Sequence, residues 1–249
     1  MENSRLNQAL ASWTEWSLNL LAKPVAIRQL PGFTNQSHVL DAGNQQLVLR
    51  LNRPGADSLG ICRQREYLIW QAMADMGIAP RPIHINRQLD FVIYPYLEGR
   101  IWTAADMQDP NQIKRLGNTM EKYQHACIVQ PPRNYVDYLQ HYWKQLEGTP
   151  AATPGLAAEW RHFVPELQAF QQAEWTPVLT HHDLIPENII DDGQRLYIVD
   201  WEYAAPGHPQ LDWCCISGDQ TLAVSKIIGW INRLWWLLTN NADEFDADT

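Results

Sequence analysis

The stretch THHDLIPENIIDDGQRLYIVDWEYA, Thr180 to Ala204, sets acidic and amide side chains between short apolar runs. Asp183 and Asn188 stand five positions apart on a segment that Pro186 keeps from being a regular strand or helix. A loop of that length can turn both side chains toward one cavity. There a carboxylate would take the proton of a substrate hydroxyl and an amide oxygen would bind a metal. Asp200 ends the apolar run LYIV, seventeen residues after Asp183, where a strand end would hold a further metal ligand rigidly. A hard cation such as Mg²⁺ takes oxygen ligands and keeps some of its water, so one carboxylate and one amide suffice when phosphates supply the rest. The competing reading is that Asp183 caps a turn, Asn188 fills a turn position and Asp200 opens a loop. The three together, with His181 two positions before Asp183, favour joint chemistry.

Several elements must position these residues. Apolar positions at helical spacing from Ser4 to Leu21 predict an opening amphipathic helix. Between Val25 and Leu51 the runs VAIRQL, SHVL and QLVLRL, with turns at Pro31-Gly32 and Asp41 to Asn44, predict a small antiparallel sheet. Arg63 to Met76 returns to helical spacing, with Gly77 where a helix-ending glycine belongs. PIHIN and DFVIYPYL then predict a hairpin leading into Glu98-Gly99-Arg100. Helices are expected over Pro110 to Ile128, Asn134 to Leu146, Gly155 to Glu174 and Thr221 to Leu238. The runs LTHHDLIPENII and RLYIVDWEY predict two strands around a turn at Asp191 to Gly193. A sheet-rich half followed by a helical half predicts an α+β bilobal protein, with lobes over residues 1–96 and 97–249 and a cleft near residues 94 to 100.

Composition narrows the partners. The 249 residues include 12 Trp and 9 Tyr and are 45% hydrophobic, which is the composition of a globular chain and not of a disordered one. A formal net charge of −9, with Asp243, Glu244, Asp246 and Asp248 crowded into the last ten positions, disfavours nucleic acid and anionic membranes and welcomes cationic small molecules. The opening MENSRLNQALASW has neither the basic flank nor the apolar core of a signal peptide, which predicts a cytoplasmic protein. Cys62, Cys127, Cys214 and Cys215 have no C-x-x-C spacing and are expected to be buried, reduced thiols, with no zinc site.

The pattern H-x-D-x-x-x-x-N, read as His181, Asp183 and Asn188 and followed by IVDWEYA with Asp200, resembles the aminoglycoside phosphotransferase and choline kinase superfamily, whose fold is similar to that of protein kinases. The likeness continues through Gly207, Pro209 and Asp212 in GHPQLD, and spans roughly residues 25 to 215. It implies that Asp183 is the catalytic base, that Asn188 and Asp200 bind Mg²⁺, and that ATP is the co-substrate. His181 and Asp212 would support the loop. Arg50, closing QLVLR, stands where the family has a Lys or Arg that grips nucleotide phosphates, and Glu66 in RQREYLIW matches its acidic partner. Arg at this position looks like the choline kinase and thiamine kinase branch. PGFTNQS, with Gly32, Thr34 and Asn35, resembles the loop that covers the phosphates; DFVIYPYLEGR, with Tyr94 and Tyr96, looks like the connector beside adenine.

Two departures bear on the acceptor. Ile185 and Glu187 replace the His and Gly of the common H-P-G-N variant, while D-L-x-P-E-N is similar to bacterial choline kinases and leaves Asp183 and Asn188 in place. After Asp212 the chain has 37 residues (249 − 212), fewer than the family usually spends on its acceptor pocket. Trp201, Glu202, Tyr203, Trp213, Trp230, Trp235 and Trp236 crowd that region. Aromatic faces beside a carboxylate suit a quaternary or aromatic cation such as choline or thiamine, and the same rings equally suit the packing of a short helix. The expectation is therefore a kinase for a small, cationic alcohol. An aminoglycoside or sugar kinase and a nucleotide-binding pseudokinase are the alternatives.

Overall fold

The computed structural model describes residues 2–219 and 222–245, and side chains from Ser4 to Asn240 within them. The acidic positions Asp246 and Asp248 and the expected helix start at Thr221 lie outside the described residues, as do the side chains of Asp243 and Glu244. The class is α+β, as expected. The chain groups into two compact units: one of Met1–Ala56, Cys62–Tyr123 and Pro186–Glu202, the other of Asp57–Ile61, Gln124–Ile185 and Tyr203–Thr249.

In the first unit, β1 (Val25–Leu30), β2 (Gln36–Asp41), β3 (Gln46–Leu51), β4 (His84–Ile85) and β5 (Phe91–Pro95) form one sheet in the order β1-β2-β3-β5-β4. Every pairing in it is antiparallel. Leu40, Leu47, Leu49, Leu51, Phe91 and Ile93 bury one face against Ala9, Leu10 and Trp16. The opening helix α1 (Glu2–Ala11) is shorter than its spacing implied. Ser12 ends it by bonding Ala9 O through both its N–H (3.2 Å) and its hydroxyl (2.9 Å), after which Trp16 turns into the core and Leu21 stands fully exposed. Helix α2 (Arg63–Asp75) ends as expected, because Gly77 adopts φ +70°. Its N–H reaches Ala74 O and that of Ile78 reaches Met73 O, the paired bonds of a Schellman turn.

A second, three-stranded sheet runs β6 (Arg100–Ile101), β8 (Ile189–Asp191), β9 (Leu196–Ile198), again antiparallel. Arg115, on α3 (Pro110–Gln124), pins it through a two-pronged ion pair with Asp191 (2.5 and 2.8 Å). Helix α3 stops at Gln124 and not Ile128, because the chain extends ahead of Pro131-Pro132, which cannot continue a helix.

The second unit packs α4 (Tyr135–Leu146), α5 (Pro154–Gln172), α6 (Leu211–Ser217) and α7 (Ala223–Phe245) around an aromatic core that includes Tyr142, Trp143, Trp160 and Phe163. Asn134 caps α4 by accepting from Val136 N and Asp137 N, and Thr153 caps α5 ahead of Pro154 at its first turn. One expectation is corrected here. The run from Leu179 to Ile190 does not form a single strand: Val178–Thr180 (β7) pairs with Ala205–Gly207 (β10), while Ile189–Asp191 pairs with β9 across the Asp192–Arg195 turn. Pro186–Asn188 between them is one turn of 3₁₀ helix. The cysteines are all free, but Cys62 and Cys127 are exposed and not buried as expected, since neither falls on an inward face.

Candidate functional site

Strand β3 carries Arg50 in the middle of the five-stranded sheet, opposite Ser37 on one side and Val92 on the other. Helix α2 brings Glu66 onto its buried face with Tyr67, Ile69, Trp70 and Met73. The Arg50 Nη2 donates to Glu66 Oε1 at 2.5 Å, Nη1 reaches Asp200 Oδ1 at 3.3 Å, and the guanidinium lies 5.1 Å from the Trp70 ring centre. Burial works against the charge on Arg50, yet Glu66, Tyr67, Asp200 and Glu202 around it hold its pKa well above the ordinary value. Arg50 Nε is buried with no hydrogen-bond partner.

Glu66 is shared. Its second oxygen accepts from Arg63 Nη1 at 2.7 Å, and the same nitrogen reaches Glu202 Oε2 at 3.0 Å. Glu202 Oε2 also accepts from Asn35 Nδ2 at 2.7 Å, while Asn35 Oδ1 accepts from Arg63 Nη2 (2.9 Å) and the Arg53 N–H (3.2 Å). The amide orientation of Asn35 is fixed by chemistry, because a carboxylate only accepts and the other two groups only donate. Burial, and then the charge of Asp200, push the Glu202 carboxyl up to about 7.

The carboxylates of Glu66, Asp200 and Glu202 outnumber the guanidiniums of Arg50 and Arg63, three to two, so the cluster carries a surplus negative charge when all are ionised. Such a cluster attracts a cation. Asn188 and Asp200 flank the β8–β9 hairpin, where Ile189 pairs Ile198 and Val199 N donates to Asn188 O at 2.9 Å. Asp200 keeps a third of its side chain exposed and adopts φ +65°, a strained conformation for a residue other than glycine, which is typical where function dictates the backbone. Among the described residues no group of three or more His, Cys, Asp or Glu could hold a metal by itself. If Asn188 and Asp200 hold a cation, an amide and a carboxylate completed by water and phosphate would suit Mg²⁺ and not zinc.

In the second unit, Asp212 on α6 accepts the backbone N–H of His181 (2.7 Å) and of His182 (3.0 Å), one on each carboxylate oxygen. His182 Nδ1 lies 3.1 Å from Thr180 O, which can only accept, so Nδ1 carries a proton, and in the neutral ring Nε2 accepts from the Tyr135 hydroxyl at 3.1 Å. The Tyr135 oxygen in turn accepts the His208 N–H at 2.9 Å. Gly207 lies against this arrangement: a Cβ there would fall 2.7 Å from Tyr135 Oη and 2.8 Å from His182 Cε1. These bonds hold His182 at φ +68°, one residue before half-buried Asp183. His182 and Tyr135 were not among the residues expected to matter; the positive φ and the contact partners are invisible in the sequence.

The remaining expected residues are dispersed. Gly32 is exposed and Thr34 half-buried in the β1–β2 loop. Tyr94 packs edge-on against Trp70 (5.1 Å), and burial pushes its phenol up to about 12. Tyr96 accepts from Arg28 at 2.7 Å on the surface. The acceptor roles expected of Trp201 and Glu202 do not fit their surroundings. Trp201 is completely buried, with its indole N–H on Ile198 O and its ring edge-on to Tyr123, and Glu202 is enclosed by Asn35 and Arg63. Trp230 stacks on Phe163 at 5.0 Å, Trp235 donates to the Tyr203 hydroxyl at 2.7 Å, and Trp213 stays 42% exposed.

Among known proteins, the chain is 24% identical over 138 residues to the Protein LicA homolog of Mycoplasma capricolum, a match covering 55% of this chain and 54% of that protein. It thus spans about half the length of that relative. The choline kinase LicA of Streptococcus pneumoniae has a similar structure, with a TM-score of 0.78 at 17% identity over 100% of this chain and 94% of the other. So does an aminoglycoside phosphotransferase in ternary complex with AMP-PNP and hygromycin B, with a TM-score of 0.67 at 16% identity over 93% of each chain. Residues 26–220 match the family model described as Phosphotransferase enzyme family, and the chain belongs to that family.

Proposed function

We propose that the protein transfers the γ-phosphoryl group of ATP, with Mg²⁺, to the hydroxyl of a small cationic alcohol of the choline or thiamine kind. The observation that carries this reading is the buried Arg50 held between Glu66 and Asp200. A guanidinium fixed by one carboxylate and adjacent to a partly exposed one is organised to grip phosphate oxygens. Family membership and the nucleotide analogue in the aminoglycoside phosphotransferase complex support a nucleotide there.

In this reading residues 1–96 serve the nucleotide and residues 97–249 the catalysis and acceptor. Asn188 and Asp200 hold the Mg²⁺, which when bound supplies positive charge to the phosphates. Arg50 grips the phosphates, and Glu66 keeps its fork oriented. Asp183 accepts the proton of the attacking hydroxyl, while Asp212 holds the two peptides before it. The Trp213 and Trp235 rings and the overall negative charge favour a cationic acceptor.

The test is ATP consumption with a panel of choline, ethanolamine, thiamine, sugars and aminoglycosides, scored by a mass gain of one phosphate on the acceptor. Turnover on a cationic alcohol that Asp183→Ala abolishes, with ATP binding retained, is the expected result. Binding of ATP with no turnover on any acceptor points to a nucleotide-binding module and overturns the reading.

A further inference from the structure

We propose that Arg63 is a positioning residue that latches the β1–β2 loop, residues 31–35, through Asn35 and Glu202, separately from the phosphate grip of Arg50. The inference rests on reading this cluster as the nucleotide site.

Arg63 and Glu66 are an i,i+3 pair on α2, a spacing worth a few tenths of a kcal/mol on an exposed helix surface. The structure gives Arg63 another setting. Its side chain is 10% exposed and its fork divides between residues that are far apart in the chain: Glu66 and Glu202 on Nη1, Asn35 on Nη2. The bonds Asn35–Glu202, Glu202–Arg63 and Arg63–Asn35 close a three-membered ring. One corner of the ring is the loop, one is the start of α2, and one lies two residues beyond Asp200.

Stability alone is a poor account of this ring. Buried ion pairs rarely outperform apolar residues of the same volume, and Glu66 already has Arg50 as a counter-charge. What a ring of directional bonds does well is fix geometry. Pro31, Gly32 and Phe33 at the loop tip are exposed, Phe33 almost entirely, and Asn35 is the loop side chain that joins the ring. A lysine cannot replace the arginine fully, since one ammonium has no planar fork with which to meet Asn35 and both carboxylates together.

The experiment compares wild type, Arg63→Met, Arg63→Lys, Asn35→Ala and the double variant Arg63→Met/Asn35→Ala. Amide hydrogen exchange over residues 31–37 is read without nucleotide, and KM for Mg·ATP and kcat are read separately. Asn35→Ala removes the latch without leaving a buried charge, so it serves if Arg63→Met fails to fold. The expected result is faster exchange at 31–37 and a rise of about tenfold in KM for either single variant, the order of one lost charge-assisted bond, with kcat within about threefold. Arg63→Lys should recover part of the KM loss, and the double variant should be no worse than the worse single, as coupled residues behave. Unchanged exchange and KM in Asn35→Ala, or fully additive effects, overturn the latch. Wild type that does not bind Mg·ATP overturns the nucleotide reading, and the exchange comparison then still decides whether Arg63 holds the loop.

Discussion

The carboxylate of Asp212 spans two consecutive peptides, accepting His181 N–H on one oxygen and His182 N–H on the other. It thereby sets the backbone that enters Asp183 from a residue 29 positions downstream of it. Asp212 is completely buried, so its two bonds are made without competition from water.

Asp212→Asn turns one of those acceptors into a donor facing an N–H. Turnover should fall by about a hundredfold, the usual effect of moving a reacting group by an ångström. Stability should fall by about 1–3 kcal/mol for the unsatisfied buried group. Steady-state kinetics beside urea denaturation check both, and unchanged kcat would remove the loop-holding role.

Gly207→Ala should destabilise the second unit by about 1–3 kcal/mol, the usual cost of overpacking. The added methyl meets Tyr135 Oη and the His182 ring together. Adding Tyr135→Phe removes the clash at Oη but also the bonds to His182 Nε2 and the His208 N–H, so the double variant should stay below wild-type stability. Thermal unfolding of the single and double variants reads this.

Glu66→Ala takes a carboxylate from two buried guanidiniums at once, leaving Arg50 with Asp200 and Arg63 with Glu202 and Asn35. A loss of about 1.5–3 kcal/mol is expected, the range for hydrogen bonds to charged groups, because each guanidinium keeps a second carboxylate. The urea midpoint should shift with little change in slope.

The pH dependence of stability should show the Asp191–Arg115 pair. The Arg115 guanidinium, at 2.5 and 2.8 Å, holds the Asp191 carboxyl below the ordinary aspartate range despite partial burial. A carboxyl depressed on folding stabilises the protein above its unfolded pKa of about 3.9, and that stabilisation disappears as the pH falls through the lower folded value. The stability difference between wild type and Asp191→Asn should therefore be constant from about pH 5 upward and shrink below about pH 4. Constancy down to acid denaturation would show that the pair does not titrate with folding.

Much of this protein is local information. The strands Val25–Leu30 and Gln46–Leu51, the helix Arg63–Asp75 with its terminating Gly77, and the turn at Asp192–Arg195 follow from periodicity and turn chemistry acting over a few residues. The spacing of His181, Asp183, Asn188 and Asp200 likewise marks the chemistry, because that pattern is written along one short segment. Where α1 ends was less legible, since Trp16 leaves the helical path to reach a core that the local pattern does not describe.

Only the tertiary structure decided the partners. Glu202 and Trp201, neighbours in a motif that suggests an acceptor, point into different surroundings: one toward Asn35, 167 positions away, and one into the packing beside Tyr123. Arg63 received no role from the sequence, and the fold brings Asn35 and Glu202 beside it. A side chain's type states which bonds it can make. Which groups come within 3 Å of it depends on how remote segments pack, and that is a property of the whole buried core and not of any window of sequence.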